Sequence, residues 1–88
     1  MAPKQPMLDQ MRGNPRADWD INDVRTCCTQ NGVDLIPPTS GSHYKAKSSV
    51  LHGHLTVPAH RPIKAVYIRQ LVNMIDAHVA VVRGQKDN

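Results

Sequence analysis

The sequence predicts an α+β fold, α-β-β-β-α in order, with one three-stranded antiparallel sheet and both helices packed on one face. Three observations carry that expectation. Ile21, Val24 and Cys28 recur at helical spacing near one end. Ile68, Leu71, Val72, Ile75 and Val79 do so near the other, at i, i+3, i+4, i+7 and i+11. Between them lie short runs bounded by Pro, Gly and Ser, one of which alternates in character from His43 to Lys47. The 88 residues suffice for one domain.

Residues 1–17 hold Pro3, Pro6, Gly13 and Pro15 among few apolar residues, and are expected to be flexible or loosely laid on the domain. The domain proper is placed at 18–82, with a polar tail over 83–88. The first helix is expected over 21–31. Asp20 suits its N-cap, Asp23 its first turn and Gly32 its stop. Trp19, just before the cap, reads as a packing residue over the first turns rather than a base-stacking one. The first strand is expected over 33–36, ended by Pro37 and Pro38, whose missing amides suit an edge. The second strand is placed at 43–48, a hairpin loop at 49–53 with Gly53 at its tight point, and the third strand at 54–57 before Pro58. The last helix is expected over 65–77. Residues 79–82 fit either a helix end or a short β-branched extension.

The hairpin fixes a register. With 47 facing 54, 45 facing 56 and 43 facing 58, Tyr44, Ala46, Leu55 and Val57 share one face. His43, Lys45, Lys47, His54 and Thr56 share the other. A slip of one residue would bury the polar set, so the pattern itself selects this pairing. The expected sheet has one apolar face against the helices and one open, basic face.

Composition narrows the function. Eleven Lys and Arg against 7 Asp and Glu give a net charge of +4, with a pI near 9.4. That balance favours a polyanionic partner, nucleic acid before membrane. A chain this short leaves little room for an enclosed pocket, so chemistry belongs on an open face. Cys27 and Cys28 are adjacent, which disfavours a disulfide between them, and they read as buried or half-buried thiols. No run of consecutive apolar residues appears long enough for a bilayer, and the first ten residues lack a signal-peptide core. A cytoplasmic location is expected.

Chemistry concentrates in Gly41-Ser42-His43-Tyr44-Lys45-Ala46-Lys47. Successive strand residues point to opposite faces, so an imidazole lines up with two ammonium groups. Histidine titrates near neutrality and moves protons there. Lysines offer charge to a phosphate or its transition state. Ser42 adjoins His43 but points to the other face, so it suits a turn hydrogen bond and not nucleophilic catalysis.

Gly-Ser-His opening a strand, Leu55-Thr56-Val57-Pro58-Ala59-His60 ending the next, and a basic approach to a helix at Arg61 and Lys64 together resemble the HicA family. These are the small toxins of HicA–HicB toxin–antitoxin pairs, and the resemblance spans roughly residues 18–76. It implies a fold like the double-stranded RNA-binding domain. It also implies an mRNA interferase, a metal-independent endoribonuclease with His43 as general base and a HicB-like antitoxin as partner. Gly41, Ser42, Lys45, Lys47, His54, Thr56, Arg61 and Lys64 are the expected RNA contacts. No cofactor and no metal is expected. Where the family has a Gly-Thr pair at the start of the last helix, this chain has Val66-Tyr67. The longer N-terminal segment is a tail or an antitoxin contact.

Of the other histidines, His52 and His54 with His60 resemble part of a zinc site, with no fourth ligand in reach. His60 lies near the sheet end that holds His43. His78 reads as a favourable charge at a helix C-terminus. The alternative to catalysis is a non-catalytic RNA-binding module of the same fold, in which Lys45, Lys47 and Arg61 bind phosphates and His43 is merely a contact.

Overall fold

Asp20 and Asp23 close a reciprocal capping box, each side chain accepting the other's backbone N–H at 3.0 Å. From that cap a helix runs over Ile21–Asn31. Gly32 ends it in the left-handed region (φ 74°), where a side chain would be strained. The N–H groups of Gly32 and Val33 both return to Cys28, so Val33 belongs to the helix stop and the first strand begins one residue later.

The computed structural model describes the backbone of residues 6–86 and the side chains of residues 6–84. Among the described residues the order is α1 (Met7–Gly13), α2 (Ile21–Asn31), β1 (Asp34–Ile36), β2 (His43–Lys47), β3 (Leu55–Pro58) and α3 (Ala65–Lys86). The fold is α+β, three helices with a three-stranded antiparallel sheet. Strand order is β1-β2-β3, so β2 is central. Its partners are Ile36 opposite Lys45 on one side, and His43 opposite Pro58 and Lys45 opposite Thr56 on the other. The register expected for residues 43 and 45 is the one observed. Ala46 and Val57 are buried with Val24, Cys27 and Cys28 of α2 and Ile68, Leu71 and Ile75 of α3. The opposite sheet face is exposed at His43, Lys45, Lys47 and Thr56.

Two expectations are corrected at the ends of the chain. Part of the segment expected to be flexible is α1. Its Leu8 and Met11, three residues apart on one helical face, enter the core, with Met11 at 0% exposure. Its polar side is tied down too: Arg12 meets Asp76 of α3 at 2.6 Å, and the Met7 N–H donates to Gln30 Oε1 at 3.1 Å. Residues 1–5 lie outside the described part. At the other end, α3 continues through 79–82 to Lys86, nine residues past its expected stop at 77. β-branched valines lower helix propensity only slightly, and nothing before Gly84 breaks the turn. Residues 83–86 of the expected tail are therefore helical, and 87–88 lie outside the described residues.

The long α3 is also apolar on average. Its stretch Ala65–Gly84, 20 residues at mean hydropathy 1.2, is long and apolar enough to cross a membrane by length and composition. The sequence pattern hid this because Arg69 and Asp76 interrupt the apolar runs without lowering the average enough. In the fold, the Ile68, Leu71, Val72 and Ile75 stripe is buried in the protein's own core.

Candidate nucleic-acid interface

Pro37 and Pro38 end β1, and the following turn reaches its tightest point at Gly41 (φ 83°). The Ser42 carbonyl then accepts the Ala59 N–H at 2.8 Å, one rung beyond the β2–β3 ladder. This bond joins the start of β2 to the chain leaving β3. Ser42 therefore contributes through its backbone, and Gly41 through the turn that aims His43.

His43 stands on a ridge between two shallow concavities. On the β3 side, a cleft of about 230 Å³ is lined by His43, Pro58, His60, Pro62, Lys64 and Tyr67. On the β1 side, a hollow of about 310 Å³ is lined by residues 36–40 together with His43 and Lys45. The first brings two imidazoles, an ammonium and a phenol to one place. Lys64 is the residue whose carbonyl accepts the first helical N–H groups of α3, from Tyr67 at 3.0 Å and Ile68 at 3.2 Å. The positive pole of a 22-residue helix thus begins beside Lys64. A phosphate in that cleft would meet Lys64 and the helix pole together.

The expected contacts divide into two groups. Lys45 lies on the His43 face next along β2, opposite Thr56. Lys47 and His54 are at the far end of the hairpin, about 13 Å along the strand from His43 at the usual rise per residue. His54 borders a separate hollow of about 180 Å³ with Gln70 and Met74. Arg61 is engaged already. Its guanidinium grips Asp18 with contacts of 2.9 to 3.2 Å, both partners on the surface. That pair holds the Asp18 carboxyl below the usual carboxylate range through its hydrogen bond and charge, and raises Arg61 in turn.

No family model, curated protein or solved structure matches the chain.

Three features of the face were not read from the sequence. Asp34 lies directly opposite Lys47, and Ile36 opposite Lys45, so β1 adds a carboxylate and an exposed apolar side chain to the open face. Their alternation, exposed-covered-exposed in Asp34-Leu35-Ile36, was the available signal. Tyr67 was the other omission. It sits off the fully buried stripe of α3, half-buried against the core and bordering the cleft.

His78 and the thiols resolve as structure. Instead of charging a helix end, His78 is buried mid-way along α3, with Nδ1 2.7 Å from Ser48 Oγ. Ser48 Oγ also accepts the Val50 N–H at 3.1 Å, so the pair ties the hairpin loop to α3. Burial pushes the Cys27 thiol up to about 12 and Cys28 to about 11, which keeps both protonated and unreactive at neutral pH. Among the described residues, no three His, Cys, Asp or Glu side chains converge as metal ligands would.

Proposed function

We propose that this protein is a metal-independent endoribonuclease of the HicA type, the toxin of a toxin–antitoxin pair that cleaves mRNA. The observation that supports it best is the exposed sheet face, where His43 stands in register with Lys45 beside a cleft that also holds Lys64. The order α2-β1-β2-β3-α3, with one covered and one open sheet face, fits the double-stranded RNA-binding-domain likeness that the family implies. In this reading α1 is an addition to that frame.

RNA carries its own nucleophile, the 2′-hydroxyl. His43 removes its proton, and the resulting oxygen attacks the adjacent phosphorus. Lys45 and Lys64 stabilise the charge that builds on the non-bridging oxygens. A positioned general base contributes about a hundred- to ten-thousand-fold to such a step.

The test is an RNA cleavage assay in excess chelator, comparing the parent with His43→Ala. Because His43 is exposed, the variant should keep its melting temperature and lose at least about a hundred-fold in rate. Cleavage at the parent rate by the variant removes His43 from the mechanism. RNA binding without cleavage by the parent leaves a non-catalytic RNA-binding module.

A further inference from the structure

We infer that His60 is the second proton-transfer group of this site, the general acid that completes strand cleavage. The inference rests on the ribonuclease reading and deepens it. A 2′-oxygen can displace the 5′-oxygen from phosphorus only if that leaving alkoxide is neutralised. A lone base does half of this work.

The fold supplies the other half. His43 opens β2, and His60 lies two residues beyond the end of β3. Register pairs His43 with Pro58, and the Ala59 N–H bonds back to Ser42. Those two contacts hold the chain at residues 58–59 against the start of β2. His60, the next residue, then lines the same cleft as His43. Lys64, just before α3, and Tyr67, in its first turn, line the same cleft. The cleft is open and about 230 Å³ in volume, large enough to admit a phosphodiester and its two sugar oxygens.

Among the cleft's side chains, the acid is best matched by histidine. Free imidazolium releases its proton near pH 6.5, whereas free lysine and tyrosine hold theirs to about 10. An acid that works near neutrality needs the former. Lys64 keeps the role of a fixed positive charge toward the phosphate, and Tyr67 forms the cleft wall.

The step balances without a co-reactant. His43 takes the 2′-hydroxyl proton while the 2′-oxygen bonds to phosphorus. The P–O5′ bond breaks, and the 5′-oxygen takes the proton of the His60 imidazolium. The products are a 2′,3′-cyclic phosphate and a 5′-hydroxyl. His43 leaves the step protonated and His60 neutral, and solvent exchange resets both.

The experiment uses the full chain and two dinucleotide-centred RNA substrates, one ordinary and one with sulfur in place of the 5′-bridging oxygen. A thiolate leaves without protonation, so the second substrate needs no acid. His60→Ala should lose about a hundred-fold or more on ordinary RNA, and recover to near the parent rate on the sulfur substrate. His43→Ala should stay slow on both. The parent's rate should fall at both ends of the pH range, and His60→Ala should lose the alkaline fall. Equal loss on both substrates, or no loss at all, overturns the role of His60 while His43→Ala still decides the ribonuclease reading. A parent that cleaves neither substrate ends both.

Discussion

Arg61 shows how a residue expected to meet RNA can already be occupied. Its basic side chain stands at the approach to α3, where a phosphate contact was expected, yet Asp18 holds it in a two-pronged grip. The pair is exposed at 63% and 61% of its side-chain surface, so its worth lies in restraint of Arg61 and not in stability. Replacing Asp18→Asn should free the guanidinium. RNA should then bind more tightly, and the binding should depend more steeply on salt as one more phosphate contact forms. Acid should act in the same direction on the parent. The Asp18 carboxyl is depressed by the pair, so the link is present at neutral pH and weakens only as pH falls through that lowered value. Titrating RNA affinity of both proteins against salt at neutral pH measures the effect; identical slopes would remove Arg61 from the interface. His78 is the converse case. Its position near the end of the apolar stripe suggested a surface charge, and only the pairing with Ser48, thirty residues away, explains why it is buried. A contact of that separation leaves no trace in local pattern.

At the scale of elements, α2 and the β2–β3 hairpin were legible because each carries its own punctuation. Asp20, Asp23 and Gly32 mark both ends of α2. The alternation in His43-Tyr44-Lys45-Ala46-Lys47 permits one register, and the sheet adopts it at the pairs that include residues 43 and 45. The place of His43 on the open face was legible for the same reason. The meeting of His60 with Tyr67 was not, because it depends on where α3 begins relative to β3. The α1 helix escaped because seven residues set between prolines and ending on a glycine give too little periodicity to stand alone. Its stability is tertiary, supplied by burial of Leu8 and Met11 beside α2 and α3. Met11→Ala removes a fully buried side chain. It should destabilise the fold by about 2–4 kcal/mol while leaving the open sheet face intact. Denaturant unfolding reads the loss, and a change of less than 0.5 kcal/mol, an order-of-magnitude threshold for surface substitutions, would mean that α1 does not dock in solution.

As a whole, the molecule is a thin slab of 41 × 35 × 21 Å, with its proposed chemistry on a broad face and not in a chamber. A small inhibitor has nothing to plug, so a HicB-like antitoxin would have to cover that face. The net charge of +4 and the exposed Lys45 and Lys47 call for an acidic covering surface. Such a partner should compete with RNA, and its association should slow as salt rises. Lys47→Glu should slow it further, since the new carboxylate would stand opposite Asp34. Stopped-flow mixing at several salt concentrations checks this; a ternary complex with RNA still on the His43 face would place the partner on the helices instead. The central position of β2 has its own consequence. A strand held from both sides cannot fray by itself, so its amides should be among the last to exchange with heavy water. His43 is carried on that strand. The nuclease activity proposed for it and the slowest-exchanging amides should therefore disappear at one temperature on heating. If the ribonuclease proposal holds, activity should be lost only as the sheet unfolds, with no warm, folded, inactive stage.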